Sequence, residues 1–207
     1  MTLTDVLKKI PPDVSLVAAI KYASSVAQVN ALLSAGVKAV GENRVQDAEA
    51  RLPLLLPCET HFFGTIQSNK IGKIVRLFDV VQSLDDLAHA EKLDCVAAKE
   101  GKVLRVLVQV NAGNEEQKSG LAPEKEKIRA FLAAMKPLSH LTVEGLMAVV
   151  PLDGDSRPHF RNVRRLFDAL KTDFGLTVLS MGTSDDYAVA IEEGATMVRV
   201  GRALFES

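Results

Sequence analysis

Aromatic side chains make up only 5% of the 207 residues, and cysteine occurs just twice, at Cys58 and Cys95. Two thiols in no metal-like spacing exclude a disulfide framework and a thiolate metal centre, and suit a reducing compartment. The four histidines, His61, His89, His140 and His159, are scattered. With no carboxylate ladder beside them, a metal site is not expected. An excess of one charge is lacking too, with 25 Lys+Arg against 26 Asp+Glu. That balance argues against a polyanion binder or a basic membrane-surface protein, so neither nucleic acid nor membrane is an expected partner. No apolar run approaches membrane-spanning length. The opening Met1-Thr2-Leu3-Thr4-Asp5 has neither a basic start nor an apolar stretch, so no signal peptide is expected and the location reads as cytoplasmic. A serine-nucleophile elbow and a P-loop are also missing.

What is present is a steady alternation. Short apolar runs read as buried strands over 16–20, 38–40, 61–66, 80–84, 103–110, 143–150, 177–181 and 197–200, the second running into Gly41-Glu42-Asn43. Helix-period segments lie between them, such as Ile71, Ile74, Val75 and Phe78 at i, i+3, i+4 and i+7. A short helix precedes the first strand, capped by Thr4 or Asp5, and Asp85 is the expected cap after the fourth. Arg161, Arg164 and Arg165 read as a solvated helix face. Eight β/α units with no composition shift between them predict a single-domain (β/α)8 barrel of the TIM type over 1–207. Little chain follows strand 8, so the N-terminal helix is expected to cover that seam. An open doubly wound sheet is the alternative.

A barrel gathers the carboxyl ends of its strands on one face, where such folds place their chemistry. Lys21 ends the first apolar run. Its ammonium can bind an anion or, partly desolvated, its amine can attack a carbonyl; it can also simply reach for water. The other strand ends supply Gly41-Glu42-Asn43, Gln67-Ser68-Asn69, Ser83, Asn111, Met147, Ser180 with Gly182-Thr183-Ser184, and Arg199-Val200-Gly201. Gly182, Thr183 and Ser184 precede a helix, where N–H groups and the dipole favour an anion, and Gly201 allows another close backbone approach. Ser184 is equally a plain N-cap. Arg199 interrupts an apolar strand and, by alternation, shares a face with Met197 and Gly201. A buried guanidinium needs an acceptor: a carboxylate, or a pyridine nitrogen in the barrel mouth. Amine, phosphate site and arginine together describe a site for pyridoxal 5′-phosphate.

With these residues in view, the chain resembles the pyridoxal phosphate homeostasis proteins, single-barrel relatives of the alanine racemase N-terminal domain. The matching stretches are Val17-Ala18-Ala19-Ile20-Lys21, Gly41-Glu42-Asn43-Arg44-Val45-Gln46-Asp47, His61-Phe62-Phe63-Gly64-Thr65-Ile66-Gln67-Ser68-Asn69-Lys70, Ser83-Leu84-Asp85, Val108-Gln109-Val110-Asn111, Gly145-Leu146-Met147-Ala148, Ser180-Met181-Gly182-Thr183-Ser184-Asp185-Asp186 and Val198-Arg199-Val200-Gly201. The resemblance implies that Lys21 carries the cofactor as an aldimine, that Ser184 with its neighbours and Gly201 bind its phosphate, and that Arg199 faces the pyridine nitrogen. Asn43, Met147, Ser180, Gly182 and Thr183 complete the expected cofactor-binding set. Two positions depart from the family pattern: Tyr22 replaces a small polar residue, and Thr183 a methionine.

The resemblance implies a cofactor carrier in vitamin B6 and amino-acid homeostasis, acting as a monomer and serving apo-enzymes that need the cofactor. Arg199 has no proton to give and would leave the ring a poor electron sink. Racemisation also needs an acid/base on the opposite substrate face. The racemase relatives take it from a second domain and a partner subunit, and no second domain is expected before the sequence ends at Ser207. The alternatives are a low-activity racemase or transaminase and, without a cofactor, a barrel lyase using Lys21 on a phosphorylated sugar.

Overall fold

A computed structural model describes residues 3–115, 117–151 and 153–205; the opening Met1-Thr2 and the terminal Glu206-Ser207 lie outside the described residues, as do Glu116 and Leu152. Eight parallel strands close on themselves in chain order, with β8 pairing β1, so the open-sheet alternative fails. The strands are β1 (Ser15–Ala19), β2 (Ala39–Glu42), β3 (Glu59–Phe62), β4 (Val80–Leu84), β5 (Leu104–Asn111), β6 (Leu141–Val149), β7 (Val178–Ser180) and β8 (Met197–Val200). Between them run α2 (Val26–Ser34), α3 (Val45–Arg51), α4 (Ile71–Leu77), α5 (Leu87–Lys99), α6 (Lys125–Met135), α7 (Arg157–Phe174) and α8 (Tyr187–Glu192). At the seam, α1 (Leu3–Lys9) packs against the short α9 (Arg202–Phe205), as the N-terminal helix was expected to do.

Local chemistry sets the boundaries. Thr4 and Asp5 fall inside α1 rather than capping it. Asp86, not Asp85, caps α5 by accepting from the His89 amide. At the end of α7, Gly175 adopts φ +68°, the left-handed turn that glycine enters without a Cβ clash. The arginines of α7 are not a plain solvated face. Arg161 pairs with Glu193 at 2.9 Å and Arg164 donates to the Gly194 carbonyl, tying α7 to the chain that enters β8.

Strand residues alternate between two environments. Outward side chains such as Val81, Val106, Leu146, Leu179 and Val198 join the helices in one apolar layer. The inward face has a small apolar cluster of Val17, Ala39 and Met197. Much of the rest is polar: His61, Gln82 and Ser180 are buried there, and Gln109 nearly so. The dry core is therefore the layer between barrel and helices, while the lumen holds hydrogen-bonding groups that must satisfy one another.

Candidate functional site

Lys21 does not end a strand. β1 stops at Ala19, and Ile20–Tyr22 form a 3-10 turn that carries the lysine over the carboxyl end of the barrel. Ile20 is buried and anchors the turn, while Lys21 is exposed, its Nζ 4.9 Å from the centroid of the Tyr22 ring. Arg51 on α3 holds this turn in place. Its Nη1 donates to the Ile20 carbonyl at 2.7 Å and to Glu42 Oε1 at 3.1 Å. Glu42 is fully buried, and burial raises its pKa although the Arg51 charge opposes this. Its second oxygen accepts from the Asn43 amide at 3.2 Å. The stretch Gly41-Glu42-Asn43 thus serves the lysine turn through Arg51, a tertiary link that no local pattern reveals.

The Tyr22 ring also leans on Gly201. A Cβ there would sit 2.5 Å from Tyr22 Cδ2 and 3.1 Å from the Ala19 Cβ, so glycine is what lets the two turns meet. Ser184 joins the same corner. Its hydroxyl oxygen accepts from the Gly201 amide at 3.0 Å and from the Ala203 amide at 3.4 Å. Ser184 is therefore not the cap of α8. It crosses to the turn after β8, where two backbone N–H groups converge on one oxygen. Asp186 instead organises the start of α8, accepting from the Thr183 amide at 2.6 Å and its hydroxyl at 3.1 Å. Gly182 has φ +90°, and a Cβ there would meet the Ala190 Cβ at 2.5 Å. Close packing on α8 leaves no room for a Cβ at this position.

Arg199 points inward from β8, as alternation with Met197 predicts. Its Nη1 donates to the Ser180 hydroxyl at 2.7 Å and carbonyl at 3.1 Å, and its Nη2 to the Ala148 carbonyl at 3.0 Å. Among the described residues it forms no salt bridge. Burial pulls its pKa down to about 10, against the opposing charge of Asp186, so it stays a cation at neutral pH. A guanidinium has more N–H groups than these three bonds use, leaving donors for a ligand. A cavity of about 340 Å³ opens beside it, walled by Ala148, Gly182, Thr183 and Asp186. Met147 is buried and pairs in register with Ser180.

The candidate residues thus form two linked groups, Lys21–Gly201–Ser184 through Tyr22 and Arg199–Ser180–Met147–Gly182–Thr183. Asn43 stands apart, in a separate cavity of about 620 Å³ with Phe63, Gly64 and Lys70. The described residues hold no cluster of His, Cys, Asp and Glu able to bind a metal ion, and both cysteines are free thiols. No helix among them is long and apolar enough to cross a membrane.

The sequence model described as "Alanine racemase, N-terminal domain" matches residues 3–207. Two relatives named "Pyridoxal phosphate homeostasis protein" align over most of their lengths. That of Synechocystis is 36% identical over 98% of this chain and 95% of its own. That of Pseudomonas aeruginosa is 40% identical over 94% and 85%. PipY of Synechococcus elongatus, solved without PLP, superposes with a TM-score of 0.90 at 34% identity, covering 98% of this chain and 97% of that one. The same protein with PLP bound gives a TM-score of 0.87. An alanine racemase of Clostridium difficile shares the fold, with a TM-score of 0.80 at 15% identity, over 96% of this chain and 54% of that one.

Proposed function

The chain belongs to the alanine racemase N-terminal domain family and, within it, to the pyridoxal phosphate homeostasis proteins, and from that membership we propose that it binds pyridoxal 5′-phosphate at the carboxyl end of its barrel and holds it for vitamin B6 homeostasis in the cytoplasm. The reading rests above all on β8. This strand carries Arg199 inward with donors to spare and ends in a turn whose Gly201 and Ala203 amides point at one oxygen. Such a donor set fits a ligand with a phosphate at one end and a ring acceptor within the barrel mouth. When bound, the cofactor supplies an aldehyde that condenses with a primary amine and a ring that withdraws electrons from it.

Each residue has a definable part. Lys21 is the amine, held by a turn that Arg51 pins from below. Ser184, Gly201 and Thr183 receive the phosphate, with the Ser184 hydroxyl marking where an acceptor oxygen is stabilised. Ser180 fixes Arg199, Met147 lies in register with Ser180 on the neighbouring strand, and Asn43 borders the mouth from the β2 side. Arg199 opposes protonation of any nitrogen it faces, because a second positive charge would adjoin its own. This favours a carrier that gives the cofactor to enzymes requiring it over one that turns substrates over.

Adding pyridoxal 5′-phosphate to the protein should produce a visible absorption band, and borohydride should fix the label on Lys21. Lys21→Ala should lose both; a label on another lysine would sink the assignment. Amino acids mixed with the loaded protein in deuterated water should exchange their α-protons no faster than with free cofactor. Rapid exchange, or racemisation, would instead make the protein a racemase or transaminase.

A further inference from the structure

A chain of side-chain hydrogen bonds runs through the barrel from one end to the other. It starts at Arg199, whose Nη1 donates to the Ser180 hydroxyl at 2.7 Å. Ser180 donates in turn to Gln82 Oε1 at 2.7 Å. Gln82 Nε2 lies 2.9 Å from His61 Nδ1, and His61 Nε2 lies 2.6 Å from Glu59 Oε1. Arg105 closes the far end by donating to Glu59 Oε2 at 2.7 Å. Ser180, Gln82 and His61 are shut off from solvent, whereas Glu59 is the first residue of β3 and Arg105 the second of β5, at the amino end of the barrel.

The two ends fix the direction of every link. A guanidinium only donates, so the Ser180 oxygen must accept from Arg199, leaving its single hydrogen for Gln82. That sets the amide with its oxygen toward Ser180 and its nitrogen toward His61. His61 must then accept at Nδ1 and carry its proton on Nε2, facing the Glu59 carboxylate. The opposite histidine tautomer would set two donors face to face. The amide would have to turn over and present its N–H groups to Ser180, depriving the hydroxyl of its acceptor beside Arg199.

We propose that Gln82 and His61 are positioning residues for Arg199, holding the guanidinium in the barrel mouth through Ser180 from the opposite end of the fold. The role in cofactor binding rests on the reading that Arg199 faces the cofactor ring. Buried polar chains do not stabilise a core better than apolar packing, but a fully satisfied one imposes a single arrangement. Here the arrangement imposed is the direction in which Arg199 presents its remaining N–H groups.

Two measurements test this, one of them free of cofactor. Nitrogen-15 NMR of the cofactor-free protein should find His61 protonated on Nε2 with Nδ1 bare, and slowed rotation of the Arg199 guanidinium. Gln82→Leu should release that rotation. It should also move the absorption maximum of bound pyridoxal 5′-phosphate and weaken its retention roughly tenfold, the scale of one well-made hydrogen bond. Val17→Ala, a packing change in the same interior that breaks none of these bonds, should keep the wild-type band and the wild-type Arg199 signals. An Nδ1-protonated His61 in the wild type overturns the proposal even if Gln82→Leu does not fold. A folded Gln82→Leu with unchanged Arg199 signals and band overturns it as well. Failure of the wild type to take up cofactor would defeat the functional reading, and the His61 and Arg199 signals would then decide the positioning role separately.

Discussion

Glu59 shows how the barrel interior acts on a single carboxyl. Its hydrogen bond to His61 and, after that, its pairing with Arg105 hold its pKa near 2, against an ordinary 4.5, although partial burial pushes the other way. A carboxyl with a depressed folded-state pKa stabilises the fold above its unfolded pKa, and this contribution is lost as pH falls through the folded value. Glu59→Gln should therefore melt below the wild type at neutral pH. The gap should narrow only between about pH 4.5 and pH 2, where the wild-type carboxylate itself takes up a proton. Melting temperatures across that range check this; a gap that stays constant down to pH 2 would mean that the carboxylate charge contributes nothing. At this scale the sequence is readable where one residue breaks its surroundings. Lys21 ends an apolar run and Arg199 interrupts one, so each stands out. Glu59, His61, Gln82 and Arg105 leave a fainter trace: two polar residues spaced by two on β3 and one each on β4 and β5. Their meaning depends on which face turns inward, and only strand register decides that. From the sequence Ser184 reads equally as a local cap, because serine commonly is one, yet its partners lie 17 and 19 residues away.

Among the elements, β4 and β8 follow the sequence pattern to the residue, because turn or polar residues bound their apolar runs on both sides. β3 does not. The run 61–66 predicts a strand, but pairing covers Glu59–Phe62. The chain leaves the sheet at Gly64, where a Cβ would stand 2.0 Å from the Asn43 carbonyl oxygen, and Ser83 takes up the Gly64 carbonyl at 2.6 Å. Ile66 is buried without being in a strand, so hydrophobicity alone extends the element too far. β6 carries a second feature invisible to periodicity. Its register with β5 shifts between Val106 and Leu107, and at Gly145 a Cβ would come within 1.7 Å of the Val178 carbonyl oxygen. A glycine inside a strand marks such a close approach or a bulge. Here both occur, and they bring the β6 end with Ala148 and Met147 into line with Ser180. The strand ends that hold the site were legible as a set, whereas their exact aim was not, since it depends on bulges and on Arg51 gripping a turn 31 residues away.

For the whole molecule, eight repeated units predict a closed barrel because alternating short apolar runs and helices bury their faces in only a few ways. Closure also bears on assembly. A sheet closed between β8 and β1 offers no free strand edge to a second chain. Where the final helix is short, α1 packs against it. Among the described residues, the large apolar side chains that remain exposed are scattered: Tyr22, Leu54, Leu56, Leu87 and Val103. Tyr22 is occupied beneath Lys21 and against Gly201, and only Leu54 and Leu56 are close in sequence. An obligate dimer interface buries a far larger continuous apolar surface than these residues can supply. Both linked groups of candidate residues also come from one barrel, so nothing in their geometry calls for a second copy. The protein should therefore run as a monomer of 22.4 kDa in light scattering over a wide concentration range, with or without pyridoxal 5′-phosphate. A dimer that persists on dilution would contradict this, and loss of that dimer in Leu54→Asp would place its interface on the turn after α3. A dimer appearing only with cofactor would instead show that the mouth of the barrel is completed by a partner chain.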